Sequence, residues 1–133
     1  TFSRDSQVIV GTGVDIVDIR RIENSINRFS ERFIRRILND DEVRDSLEGK
    51  RLAGYVARQF AAKEAVSKAL GTGMRSGVYF GNILVLRNEF GAPFVELRAG
   101  ARARAQQIDA TEIQVSLSDE RDYAIAYAVA INS

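Results

Sequence analysis

The chain predicts a single α+β domain, with a mainly antiparallel sheet packed against one long helix. Three observations carry that expectation. Strand-like apolar runs open and close the chain, from Val8 to Val17 and from Ile113 to Ile131. A helical pattern of unusual length occupies its middle, from about Lys50 to Leu70. No repeat, low-complexity tract or linker divides the 133 residues, so 1–133 reads as one domain, with 1–7 as a tail that is disordered or left from cloning.

Val8 to Val17 predicts a strand, in which Val14 and Ile16 share one face and Asp15 takes the other. Asp18 is the natural N-cap of the next helix, along which Ile19, Ile22, Ile26, Phe29 and Phe33 recur at helical spacing, so one helix is expected over 19–38. Asn39-Asp40-Asp41 breaks it and can cap a short successor. The long helix ends at Leu70 with Gly71 as its C-cap. Asn82 to Arg87 and Phe94 to Leu97 predict two strands joined across Phe90-Gly91-Ala92-Pro93, which holds the chain's only proline. Ala99 to Gln107 is a short Ala-rich helix. Ile113–Leu117 and Tyr123–Ile131 then form a hairpin about the polar turn Ser118-Asp-Glu-Arg-Asp122.

Composition bounds the function. With 45% hydrophobic residues the chain can bury a core without staples. Having no Cys, it forms no disulfide and offers no thiolate for catalysis or metal binding, which suits a cytoplasmic setting. No apolar run approaches the about 20 residues of a membrane span, and Thr1 to Ser6 has no signal-peptide core. A net charge of +1 argues against general nucleic-acid binding.

The densest chemical signal is Phe60-Ala-Ala-Lys63-Glu64-Ala-Val-Ser-Lys68-Ala-Leu-Gly71-Thr-Gly73. Only three of the 19 basic residues are lysines, and two of those flank Glu64 on one helix that runs into a Gly-rich turn. A carboxylate, two ammoniums and a flexible backbone can together hold a metal-bound phosphate. Leu52, Val56, Phe60, Glu64 and Lys68 form one i+4 row, so Glu64 is expected to be half exposed. The same Glu64–Lys68 spacing is also that of an ordinary helical surface pair, worth roughly 0.2 to 0.5 kcal/mol. Asp15, an acid amid Val and Ile, needs a partner if buried: an Arg, a backbone turn or a cation. Gly11-Thr-Gly13 does not continue as a dinucleotide or P-loop motif, because Ile16 stands where the third Gly belongs and no Gly-Lys-Ser/Thr follows.

The segment 19–38 carries six Arg (20, 21, 28, 32, 35 and 36) against two Glu (23 and 31). Arg21, Arg28, Arg32 and Arg35 would line one face of a continuous helix, which reads either as solvated surface or as a docking face for an acidic partner.

Three motifs in order, Gly11-Thr-Gly-Val-Asp-Ile-Val-Asp-Ile19, the Phe60–Gly73 segment and Val115-Ser-Leu-Ser-Asp-Glu-Arg-Asp-Tyr-Ala124, together resemble the holo-acyl-carrier-protein synthases, small 4′-phosphopantetheinyl transferases of fatty acid biosynthesis. The likeness runs from about Val8 to Ile131. It implies transfer of 4′-phosphopantetheine from coenzyme A to a serine of acyl carrier protein, with release of adenosine 3′,5′-bisphosphate. It further implies Mg²⁺ held by Asp15 and Glu64, catalysis by Glu64 and Lys68, and coenzyme A bound by Lys68, Gly71, Gly73 and Gln114. Arg21 and Arg28 would contact the carrier protein, and the enzyme would be a homotrimer with its sites at subunit interfaces. Lys63 is expected to point elsewhere on the helix.

The chain departs from that family's pattern at two positions. Gln114 stands where a His is usual, and the chain holds no His at all, so no imidazole base exists and the serine proton must go to Glu64 or to solvent. Gln59 stands where Arg is common, with Arg58 beside it, and both departures would remove positive charge where an anionic ligand is expected. An impaired homologue that binds carrier protein or coenzyme A without transfer is the alternative they raise. An Arg-rich module for acidic surfaces is the third.

Overall fold

A computed structural model describes residues 7–133; Thr1 to Ser6, most of the expected tail, lie outside the described residues. Strand β1 (Val8–Asp18) passes straight into helix α1 (Ile19–Phe29), and the Asp18 carboxylate caps it by accepting from the Arg20 amide at 2.9 Å. The continuous helix expected over 19–38 is two helices. Ser30 takes φ +52°, donates its amide to the Ile26 carbonyl to close α1, and offers its own carbonyl to the Phe33 and Ile34 amides to begin α2 (Glu31–Ile37). The break rotates α2 so that Ile34 and Ile37 join Ile22 in the core, while Phe29, expected inside, is exposed.

A capping box, Asn39 against Glu42, sets a 3₁₀ turn over Asp40–Glu42. The 21-residue α3 (Gly49–Ala69) follows. Gly71, at φ +82°, ends it in the left-handed conformation expected of a C-cap glycine, and Arg104 Nε donates to the freed Leu70 carbonyl at 2.8 Å. A second 3₁₀ turn (Phe80–Asn82) leads to the antiparallel pair β2 (Ile83–Arg87) and β3 (Pro93–Leu97). Helix α4 (Ala99–Gln107) precedes the hairpin of β4 (Glu112–Glu120) and β5 (Tyr123–Asn132). That hairpin is tighter than the five-residue turn expected, since pairing extends to Glu120–Tyr123 and leaves only Arg121 and Asp122 in the loop, with Arg121 at φ +49°.

The main sheet has the order β1-β5-β4, antiparallel throughout. One face is buried against α3: β5 contributes Ala124, Ala126, Ala128 and Ala130, and α3 contributes Ala61, Ala62, Ala65 and Ala69. Small side chains let the layers approach closely. β1 goes furthest, because a Cβ on Gly13 would overlap the Ala65 carbonyl oxygen and one on Gly11 the Ala69 carbonyl oxygen. The Gly-Thr-Gly segment thus serves the packing of β1 on α3.

Candidate active site

That glycine contact brings the middle of β1 against the second half of α3. Asp15 pairs with Ala126 on the buried face of the sheet and there meets Lys68 of α3. Lys68 Nζ donates to the Val14 carbonyl at 2.8 Å and to Asp15 Oδ1 at 3.2 Å. Glu64, one turn earlier on α3, is half-buried as its row of neighbours implies. It feels the charge of Asp15, and the Arg21 guanidinium acts on both carboxylates. Asp15, Glu64 and Lys68 therefore converge as the sequence suggests. Arg21, expected to serve only a partner, also stands at the rim of this cluster, which helical periodicity alone does not reveal.

The electrostatics of the cluster are those of a site short of positive charge. Burial pushes the Asp15 carboxyl above the usual carboxylate range, in spite of the hydrogen bond and charge of Lys68 and the charge of Arg21. Burial raises Glu64 as well, and the Asp15 charge raises it further, against Lys68 and Arg21. Two oxygen ligands that repel each other in a half-dry site fit a hard divalent cation. Among the described residues no group of three or more acidic, His or Cys side chains is placed to hold a metal ion. A two-carboxylate set leaves most of an octahedral shell to phosphate oxygens and water, the arrangement Mg²⁺ favours.

Beyond Lys68 the chain folds into the Gly71–Gly77 loop, with Gly71, Gly73 and Gly77 all at positive φ. The Thr72 and Gly73 amides are already held by the Ser67 carbonyl, at 3.3 and 3.0 Å, so the loop is pinned to the end of α3 beside Lys68. A cleft of about 360 Å³ opens on the outer face of α1, lined by Arg20, Arg21, Arg28 and Phe29 among others. Arg28 lies over the exposed Phe29 ring at 5.2 Å. The Arg32 and Arg35 positions belong to α2, beyond the Ser30 break, so the single four-arginine row expected on a continuous helix does not form.

Lys63 does point elsewhere, and its surroundings were not foreseen. It is fully buried and gives all three ammonium protons away: to Glu42 Oε1 at 2.6 Å, the Ile37 carbonyl at 2.6 Å and the Phe80 carbonyl at 2.9 Å. Gln59, one turn back, is buried in the same cluster and donates to Glu42 Oε2 and to the Val85 carbonyl. The expectation that Gln59 removes charge from an anion site is corrected by this packing: its neutral amide bears on the core. Arg58 faces outward and pairs with Asp119 at 3.2 Å.

Gln114 is on β4, exposed, donating to Glu112 Oε2 at 3.1 Å. Its cross-strand partner Val129 pairs in turn with Thr12, so Gln114 shares a face with Thr12, and Asp15, three residues on, is on the other. Within one chain the sheet separates Gln114 from Asp15, Glu64 and Lys68. The face it occupies carries an apolar stripe, with Val14 50%, Ile16 63%, Tyr123 47%, Ile125 41% and Tyr127 47% exposed.

Comparison with known proteins agrees with the fold. The sequence profile of the 4′-phosphopantetheinyl transferase superfamily matches residues 11–128. A holo-[acyl-carrier-protein] synthase of Shewanella amazonensis is 45% identical over 121 residues, 91% of this chain and 97% of that protein. Among solved structures, the Plasmodium yoelii acyl carrier protein synthase with ADP bound superposes with a TM-score of 0.86 at 34% identity, over 96% of this chain and 98% of its own. A holo-(acyl-carrier-protein) synthase of Bacillus anthracis, in complex with CoA (3′,5′-ADP), gives 0.78 at 36% identity, over 94% and 98%.

Proposed function

The chain belongs to the 4′-phosphopantetheinyl transferase superfamily, and from that membership we propose how its residues move 4′-phosphopantetheine from coenzyme A to a serine of acyl carrier protein. The serine oxygen bonds to the phosphorus that carries pantetheine. The pyrophosphate bridge breaks, and adenosine 3′,5′-bisphosphate leaves. The observation that carries the assignment of residues is the convergence of Asp15, Glu64 and Lys68 where β1 meets α3.

Asp15 and Glu64 would hold Mg²⁺. When bound, it supplies charge neutralisation on the pyrophosphate oxygens. Lys68 has a half-exposed side chain and needs only to swing from Asp15 Oδ1 to meet a phosphate oxygen. Asp15 is thereby freed from its ammonium partner as the anionic substrate arrives. Glu64, whose affinity for a proton is raised by burial, or solvent accepts the serine proton, since the chain has no imidazole. The pinned loop from Gly71 to Gly73 lies against the nucleotide, where glycine allows close backbone approach. Arg21 and Arg28, lining one cleft on α1, receive the acidic carrier protein in a cytoplasmic setting.

The enzyme is a homotrimer in this reading. Its support is the apolar stripe on the outer sheet face and the position of Gln114 on that same face, from which it would serve a neighbour's site with an amide donor. The test of the reaction is mass spectrometry of apo carrier protein after incubation with coenzyme A and Mg²⁺. A phosphopantetheine adduct on one serine is expected; coenzyme A binding with no adduct would contradict it.

A further inference from the structure

α3 is held on two sides, and the two restraints together determine where Glu64 and Lys68 project. On one side the glycines of β1 set its distance from Asp15. On the other stands a polar hub that no step of the transfer reaction uses. Glu42 is buried and has both carboxylate oxygens doubly occupied: Oε1 accepts from Lys63 Nζ and the Asn39 amide, and Oε2 from Gln59 Nε2 and the Val85 amide. The Glu42 carbonyl accepts from Tyr55 Oη. Tyr55, Gln59 and Lys63 succeed one another at i+4 along α3, so one face of the helix is fastened over two turns to the 3₁₀ turn at 40–42 and to β2.

The last of these fastenings adjoins the metal position. Lys63 Nζ also holds the Ile37 carbonyl at the end of α2 and the Phe80 carbonyl before β2, so three segments meet at the residue next to Glu64. An apolar side chain at 63 would fill the volume as well. Only a three-donor cation on a long stem joins three acceptors from three segments at one point. A buried ion pair is a weak device for stability, because desolvation offsets most of the attraction, whereas its directional bonds set geometry.

We infer that Lys63 and Glu42 are positioning residues for the transfer: they fix the rotation and height of α3, and so the direction of Glu64 toward Asp15, without touching substrate. The inference rests on the proposed holding of Mg²⁺ by Asp15 and Glu64. Groups that orient metal ligands from behind change metal affinity by about 10- to 100-fold when removed, and small misplacements of reacting groups cost rate on a similar scale.

The experiment uses the full chain and compares the parent with the paired variant Glu42→Leu/Lys63→Met, which removes both charges together. Calorimetric titration with Mg²⁺ in the presence of coenzyme A is read beside kcat, the KM for carrier protein and the melting temperature. The expected result is a melting temperature near the parent's, a Mg²⁺ affinity at least about tenfold weaker and a reduced kcat, with an unchanged KM for carrier protein. A stable paired variant with the parent's Mg²⁺ affinity and kcat would overturn the inference alone. A parent that binds no Mg²⁺ would overturn the metal reading and the inference with it. Should the paired variant melt below the assay temperature, Gln59→Met gives the reading with the ion pair intact. It loses one Glu42 hydrogen bond; an Mg²⁺ affinity weakened several-fold supports positioning, and an unchanged one refutes it.

Discussion

At the scale of single residues, the two carboxylates of the site are held in a state that disfavours their charge. Burial is the leading cause for both, so the folded chain keeps protons on Asp15 and Glu64 at pH values where the unfolded chain has released them. Through that window the native state binds more protons, and stability therefore falls as pH rises from the ordinary carboxylate range, about 4, toward neutrality. Glu64→Gln and Asp15→Asn should flatten that fall and raise the melting temperature at neutral pH without added metal, while nearly abolishing transfer. Thermal melts of the parent and both variants across this range check the sign. Parent and variants with identical profiles would show that neither carboxylate is under strain. Asp15 and Glu64 were legible in the sequence because an acid in an apolar strand and a carboxylate between lysines are each chemically conspicuous. The hub was not, because nothing in Asp40-Asp41-Glu42 tells which acid is buried; only the packing of α2, β2 and α3 around residue 42 decides it.

At the scale of elements, every strand and helix announced itself except the division at Ser30. Propensity gave no warning, since the arginine-rich sequence on both sides suits helix and serine's usual capping bond is absent. Tertiary packing of Ile22, Ile34 and Ile37 determines the break. Its consequence is that the proposed docking surface is confined to α1 rather than spread along a 20-residue ridge. Arg28→Glu should then raise the KM for carrier protein several-fold with little effect on coenzyme A, and Arg35→Glu, beyond the break, should do much less. The parent's rate should drop between roughly 0.05 and 0.5 M salt as screening deepens. Equal effects of the two substitutions in steady-state kinetics would restore the continuous ridge. The β1–α3 contact gives a second prediction at this scale. Gly13→Ala must push the Ala65 carbonyl away, at a cost of about 1 to 3 kcal/mol in stability, and should separate Asp15 from Lys68. Urea unfolding and transfer assays read both; unaltered values would mean that the layers have slack.

At the scale of the whole molecule, the Asp15–Glu64–Lys68 cluster and an exposed apolar stripe that includes Val14, Ile16 and Tyr127 lie on opposite sides of one sheet, and Gln114 is on the side of the stripe. The proposed trimer would cover that face and bring Gln114 of one chain to a neighbour's site. Light scattering should give three times the mass of the 14.8 kDa chain. Ile16→Asp, placing a charge in the stripe, should yield monomers that no longer transfer. Gln114→Ala should slow transfer about 5- to 150-fold in the trimer, from loss of one hydrogen bond of roughly 1 to 3 kcal/mol in a desolvated site. Gln114→His should retain or raise activity, increasingly so as pH falls through roughly 6.5. The most direct measurement of the central claim, that Asp15 and Glu64 hold the cation that engages the coenzyme A pyrophosphate, is calorimetric titration of coenzyme A with and without Mg²⁺. The account predicts that Mg²⁺ tightens binding to the parent and has little effect on Asp15→Ala or Glu64→Ala. Equal tightening in the parent and both variants would contradict it.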